Sequence, residues 1–207
     1  MVQKLRKNLG DKILVGITGV FGSGKSTVAE ILGTLGASVV DADLLAHEVF
    51  EKGNPLYSVI QAKFSEAFQE GFNRKKLAEI VFSDELRRKE LEAVIHPYVF
   101  KRIEEEMTKA KTKVVAVEVP LLFESGFHDC CCFTVVVKAS QSVIQQRLEE
   151  KGFALEDMRV RTQAQMSLEE KCRKADFVID NSKSIEETRS EVEIKVWEKL
   201  HSLLKGA

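Results

Sequence analysis

Short apolar segments alternate with stretches of helical periodicity along most of the chain. Five of these segments are expected to be strands, at residues 13–18, 37–40, 113–120, 133–137 and 176–180. Residues 114–117 are continuously apolar, which is typical of a strand covered on both faces. The pattern therefore predicts an α/β fold of three layers, in which a five-stranded, mainly parallel sheet lies between helices.

Two stretches depart from simple strand–helix alternation. Residues 53–110 contain no clear strand, and their periodicity predicts a helical insertion over about 51–111 that binds the second substrate. Within it, Pro97 predicts a kink at His96. Residues 141–150 and 155–174 predict two helices separated by Gly152, and their arginines make about 141–173 a candidate lid. The core of this single unit is then formed by about 12–50, 112–140 and 174–207, with residues 185–204 as the closing helix.

A glycine-rich loop follows the first predicted strand. It reads Gly19-Val20-Phe21-Gly22-Ser23-Gly24-Lys25-Ser26, which matches the phosphate-binding pattern G-x-x-x-x-G-K-[S/T]. Glycines let several backbone N–H groups converge on phosphate oxygens, and the following helix adds its positive end. Lys25 supplies a cation and the Ser26 hydroxyl a ligand for Mg²⁺. The predicted nucleotide-binding residues here are Gly22, Ser23, Gly24, Lys25, Ser26 and Thr27.

Carboxylates follow the next two predicted strands. Asp41 and Asp43 come after the second strand, and Glu118 ends the third. Ligands of open parallel sheets collect beyond the carboxyl ends of the strands, so we expect these groups near the phosphate loop. Helix capping is the alternative for either aspartate, and function is favoured for Asp43. Glu118 is a candidate for the Mg²⁺ shell.

Leu121 and Leu122 follow the third predicted strand. They suit either a wall for the acceptor or ordinary core packing.

Composition narrows the function classes. The 207 residues carry a net charge of −1, and 44% are hydrophobic, so neither nucleic acid nor an anionic membrane is an expected partner. Of the four cysteines, Cys130, Cys131 and Cys132 are consecutive and fit no zinc spacing. We expect a cytoplasmic protein that is a monomer or a weak homo-oligomer.

Several segments together resemble the dephospho-coenzyme A kinase family. They are GITGVFGSGKSTVA, VVDADLLAHEV, RKKLAEIVF, LEAVIHPYV, VPLLFESG, the helix around QQRLEEK, RTQAQ with EEK shortly after it, and ADFVIDN. The resemblance runs from about residue 13 to 185. The DAD, HP and PLLFE segments in this order are more specific than the phosphate loop, which many NTPases share.

The resemblance implies a P-loop kinase that transfers phosphate from MgATP to the ribose 3′-hydroxyl of dephospho-coenzyme A. It implies that Asp43 orients or deprotonates that hydroxyl, that His96 and Pro97 belong to the acceptor region, and that Asn181 lies near adenine. It also supports Arg147 and Arg161 as lid arginines that stabilise charge on the moving phosphoryl group.

Some positions differ from the family pattern. The family often has Arg where this chain has His47, predicted here to bind the acceptor, and a histidine lacks a fixed charge at neutral pH. Lys151 and Gly152 replace a common Arg-Asp pair of the lid. Two other functions stay open: a P-loop kinase of another small acceptor such as a nucleoside or nucleotide, and a nucleotide-dependent switch. A switch of the GTPase type would need an Asn-Lys-x-Asp segment, which this sequence lacks.

Overall fold

A five-stranded parallel sheet forms the centre of the larger of two compact units. The structure, a computed structural model, describes residues 11–153 and 165–206. The first unit comprises the described residues up to Asp41 and from Glu106 onwards, and the second comprises Ala42–Glu105. Among the described residues, no helix is both long and apolar enough to span a bilayer.

The strands of the first unit run in the spatial order β2-β3-β1-β4-β5, and every neighbouring pair is parallel. They are β1 (Ile13–Gly19), β2 (Ser38–Asp41), β3 (Val114–Glu118), β4 (Phe133–Lys138) and β5 (Phe177–Asp180). All carboxyl ends therefore lie at one edge. The five predicted strands are confirmed, and the sheet is wholly rather than mainly parallel.

Helices of the first unit cover this sheet. They are α1 (Lys25–Leu35), α6 (Gln141–Glu150), α7 (Leu168–Lys174), α8 (Ile185–Val192) and α9 (Glu198–Gly206). A π-helical turn, Glu193–Trp197, joins the last two. Val28, Ile31 and Leu32 of α1 pack with apolar residues of β1, β3 and β4 in the main core. This packing explains the apolar strands, because helices exclude water from them.

The second unit is helical. It contains α2 (Ala42–His47), α3 (Tyr57–Lys63), α4 (Arg74–Ser83) and most of α5 (Glu85–Lys109), whose end belongs to the first unit. A separate core surrounds Phe64, which is fully buried. The guanidinium of Arg102 donates to Glu48 at 2.8 and 3.1 Å, which ties α5 to the turn after α2.

Three sequence predictions can be compared with the described residues. The compact helical unit comprises Ala42–Glu105, and the acceptor-binding insertion over about 51–111 stays a prediction. Helix α5 continues through Pro97 without a break, so the kink expected at His96 stays a prediction. The helix predicted over 155–174 is wrong at 165–167, because Ser167 caps α7 through a capping box with Glu170. Residues 154–164 lie outside the description.

Candidate active site

The predicted phosphate loop connects β1 to α1. Gly22 and Gly24 have φ values of +82° and +89°, a region that side-chain-bearing residues rarely adopt. A Cβ at Gly24 would also lie 1.9 Å from Nδ2 of Asn181. The loop thus needs glycine at position 24 both for its backbone conformation and for the close approach of Asn181.

Lys25 opens α1 and lies largely inside the protein, with 8% of its surface exposed. Its Nζ donates to the carbonyl of Val20 across the loop at 3.4 Å. A bound phosphate oxygen could replace that carbonyl as acceptor without a large movement of the ammonium group. The position fits the phosphate contact predicted for Lys25.

Ser26 and Glu118 meet at the carboxyl edge of the sheet. The Ser26 hydroxyl donates to Oε1 of Glu118 at 3.2 Å, and Glu118 lies between Asp41 of β2 and Ile17 of β1 in the strand register. Hydroxyl and carboxylate oxygens are ligands suited to Mg²⁺, which usually keeps water and substrate phosphates as its other ligands. The pair fits the Mg²⁺ site that the sequence predicts.

Asn181 supports the phosphate loop from within the protein. It is only 2% exposed, its Nδ2 donates to the carbonyl of Ser23 at 2.9 Å, and its Oδ1 accepts from the Thr188 hydroxyl at 3.0 Å. Both ends of the amide are therefore used by protein groups. The contact with adenine stays a prediction, whereas the contact with the loop is direct.

Arg147 on α6 contacts the backbone of both Ser23 and Asn181. Its Nη1 donates to the carbonyl of Ser23 at 3.4 Å and its Nη2 to the carbonyl of Asn181 at 3.0 Å. These bonds place its guanidinium beside the phosphate loop, as a role on the transferred phosphate would need. Arg161, the second predicted lid arginine, lies outside the described residues.

The loop after β3 is fastened to β1. The Val119 amide donates to the carbonyl of Ile17 at 2.8 Å, and the Thr18 hydroxyl donates to the carbonyl of Pro120 at 2.9 Å. Leu122 has no exposed surface, so its interpretation as an acceptor wall is corrected in favour of core packing. Leu121 keeps partial exposure.

Sequence reasoning missed Lys171 of α7, which is fully buried. Its Nζ contacts Glu124 at 3.0 Å and donates to the carbonyl of Pro120 at 2.8 Å. A lysine in a helix rich in charge suggests a solvated face. The sequence signal that could have identified Lys171 was the EEK segment, which is one of the segments that resemble the family.

Within the second unit, the structure places the remaining predicted residues on two helices. Asp43 lies in the first turn of α2 and is exposed. His47 ends the same helix, and its Nε2 lies 2.6 Å from Nη2 of Arg74, so it accepts a hydrogen bond from this permanently charged group. An arginine thus stands beside the position where the family often has one.

His96 and Pro97 lie in the middle of α5. The His96 ring stacks on Phe100 with centroids 6.1 Å apart. Burial lowers the pKa of His96, although Glu92 acts in the opposite direction. This environment favours the neutral ring.

Comparison with known proteins agrees with these features. The family model for dephospho-CoA kinase matches residues 13–187. A dephospho-CoA kinase from Aquifex aeolicus is 42% identical over 191 residues, which cover 90% of this chain and 96% of that protein.

Two solved structures extend the comparison. The TT1252 structure from Thermus thermophilus has a TM-score of 0.82 at 37% identity, covering 91% of this chain and 98% of that one. A dephospho-CoA kinase from Campylobacter jejuni has a TM-score of 0.61 at 29% identity, covering 93% and 98%. From the start of β1 to the first turn of α8, the chain belongs to the dephospho-CoA kinase family.

Proposed function

We propose that the protein transfers the γ-phosphoryl group of ATP to the 3′-hydroxyl of dephospho-CoA, giving coenzyme A and ADP. The observation that carries the proposal is the phosphate loop, with its Ser26–Glu118 pair, in a chain of this family. In the reaction, a bond forms between the acceptor oxygen and the γ-phosphorus. The bond from that phosphorus to the β–γ bridging oxygen breaks, and the hydroxyl proton is released.

The chain's own groups divide this work. Backbone N–H groups at residues 22–27 and the ammonium of Lys25 hold the phosphates, which fixes the donor for in-line attack. Arg147 faces the growing charge on the phosphoryl group, and Arg161 is proposed to do the same. Asp43 orients the acceptor hydroxyl or takes its proton.

Ser26 and Glu118 are the residues proposed to hold Mg²⁺, the second directly or through water. When bound, Mg²⁺ would neutralise charge on the phosphate oxygens. Binding of the acceptor is proposed for His47, His96, Pro97 and Leu121. A cytoplasmic location and a monomeric or weakly associated state stay predictions of the sequence.

Acceptor-dependent ATP consumption tests the function. Purified protein with ATP and Mg²⁺ should form ADP only when dephospho-CoA is added, with coenzyme A as the second product. A panel of nucleosides, nucleotides and shikimate separates this reaction from other small-molecule kinases. Equal consumption with several acceptors, or GTP hydrolysis without any, would contradict the proposal.

Two substitutions test the assigned roles. Lys25→Ala should abolish turnover, whereas Lys199→Ala, which alters an exposed lysine of α9, should not. Asp43→Asn should lower kcat by roughly 10²–10⁴-fold with ATP affinity unchanged. A loss confined to ATP affinity would remove Asp43 from the acceptor side.

A further inference from the structure

Lys171 stands apart from the other lysines described in the first unit because its whole side chain is buried. An ammonium group has three protons, and three oxygens lie within reach of Nζ. They belong to Glu124 at 3.0 Å, to the Pro120 carbonyl at 2.8 Å and to the Thr18 hydroxyl at 3.4 Å. The charge is therefore paired, and every proton has an acceptor.

The three acceptors lie on two segments that border the proposed site. Thr18 directly precedes Gly19, the first glycine of the phosphate loop, and its own hydroxyl donates to the Pro120 carbonyl. Pro120 comes two residues after Glu118, whose carboxylate accepts from Ser26. One ammonium group thus joins the start of the phosphate loop to the segment that carries the proposed metal ligand.

Glu124 extends the connection to α7. Its Oε1 accepts the amide N–H of Met166 at 2.7 Å in addition to the ammonium of Lys171. The carboxylate therefore joins the loop after β3 to the residues that lead into α7. Lys171 approaches the same loop from the helix itself.

Stability alone is a poor reason for a lysine at this position. Burying the ammonium of Lys171 costs desolvation even though Glu124, which is partly exposed, pairs with it. Well-packed apolar residues of similar volume often serve stability as well as a buried charge does, or better. A methionine could fill much of the same space. What it could not do is donate hydrogen bonds in three directions to two separate segments.

We propose that Lys171 is a positioning residue for phosphoryl transfer, which holds the exit of β3, and with it Glu118, in register with the start of the phosphate loop. The proposal rests on the proposed function for its kinetic consequences. Lys171 contacts neither substrate nor metal in this assignment. It acts through Pro120 and Thr18.

The test separates positioning from stability with a charge-balanced pair of substitutions. Lys171→Met alone leaves the partly exposed carboxylate of Glu124 without its cation and the Pro120 carbonyl without its donor, so the melting temperature should fall. Lys171→Met combined with Glu124→Gln removes both charges and keeps an oxygen that accepts from the Met166 amide. The melting temperature of this double variant should therefore recover most of the loss seen with Lys171→Met alone. Lys174→Met is the matched control, because it removes an exposed lysine from the same helix.

The kinetic constants of these variants then distinguish a positioning role for Lys171 from a purely structural one. In the double variant, kcat should stay at least tenfold below wild type, with the KM for ATP within threefold, because the loop's N–H groups are still present. Lys174→Met should match wild type in both constants. Recovery of kcat to within twofold of wild type in the double variant would make Lys171 merely structural and overturn the proposal.

Thr18→Val gives a second test that introduces no charge imbalance, should the lysine variants fail to fold. It removes the hydroxyl that links Pro120 and Lys171 while nearly preserving shape. We expect kcat to fall threefold to tenfold with little change in the KM for ATP. An unchanged kcat would show that the connection to the phosphate loop has no kinetic consequence and would overturn the proposal.

A measurement of ATP affinity tests this inference independently of the proposed function. In wild type, affinity for ATP should rise when Mg²⁺ replaces EDTA. That gain should shrink about two- to threefold in the double variant, while metal-free affinity stays unchanged. This result is independent of the acceptor, so failure of dephospho-CoA as a substrate would leave it standing. An unchanged gain would count against Lys171.

Discussion

Replacement of Asn181 by leucine would show how far the phosphate loop depends on support from outside itself. The change removes the donor to the Ser23 carbonyl and the acceptor for Thr188, with little change in volume. Both partners keep another contact: Ser23 with Arg147 at 3.4 Å, and Thr188 with the Ser184 carbonyl at 3.0 Å. Neither is left wholly unsatisfied, so the full penalty for burying an unpaired polar group does not apply.

The expected loss of stability is that of two hydrogen bonds. Each contributes roughly 0.5–1.5 kcal/mol net, so the free energy of unfolding should fall by about 2 kcal/mol. For a chain of 207 residues, this corresponds to a decrease in melting temperature of roughly 4–8 °C. About 1 kcal/mol of it arises at the loop, which would weaken nucleotide binding roughly fivefold.

Titration with ATP and with GTP distinguishes loop support from base recognition. If Asn181 supports the loop, both nucleotides should lose the same factor, and their affinity ratio should stay constant. Thr188→Val is the matched control, because it leaves Oδ1 of Asn181 without its donor but keeps the Ser23 bond. It should lower the melting temperature with nucleotide affinity nearly unchanged.

Two results would refute this reasoning. One is a loss confined to ATP, which would assign Asn181 to adenine recognition as the family resemblance implied. The other is an Asn181→Leu protein with wild-type affinity for both nucleotides despite a lower melting temperature. That result would show that the loop keeps its conformation without the amide.

Three further predictions concern other parts of the protein. Gly16→Ala should lower the free energy of unfolding by about 1–3 kcal/mol in denaturant titration, since the new Cβ would lie 2.7 Å from Sγ of Cys131 and 2.9 Å from Leu122. Glu118→Gln should raise the Mg²⁺ concentration for half-maximal turnover by roughly tenfold, and an unchanged Mg²⁺ titration would contradict its proposed role. Burial lowers the pKa of His96, so below about pH 6.5 the unfolded state binds more protons than the folded state does. The free energy of unfolding should therefore fall as the pH drops from 7.5 to 5.5. His96→Phe should flatten that pH dependence in urea unfolding.

Local pattern was sufficient to predict the strands and the phosphate loop. The short run of β-branched and apolar residues at 114–117 is typical of a strand in a sheet covered on both faces, and all four residues are buried. The loop's glycines predict its conformation because few other residues tolerate the backbone angles found at Gly22 and Gly24. These features depend on residues that are neighbours in the sequence, so they can be read from the sequence of one protein.

Features that depend on distant partners were not predictable in the same way. Lys171 is buried because oxygens from Thr18, Pro120 and Glu124 converge on it, and no local pattern shows that convergence. The prediction of helix at residues 165–167 failed for a related reason. Helical periodicity continues through Ser167, but its hydroxyl accepts from the backbone of Glu170 and starts a new helix there.

Phe21 of the phosphate loop makes an aromatic contact outside the loop. Phe21 occupies a variable position, and its ring meets that of Phe153 edge to face, with centroids 5.1 Å apart and planes at 86°, an arrangement that aromatic pairs favour. Phe153 directly follows Gly152, whose φ of +75° turns the chain after α6. The same helix sends Arg147 to the Ser23 carbonyl. The loop is thus held through a backbone carbonyl on one side and an apolar side chain on the other, and neither contact uses the N–H groups that a phosphate needs. A bulky residue at position 21 therefore adds an attachment to the loop without occupying its binding groups.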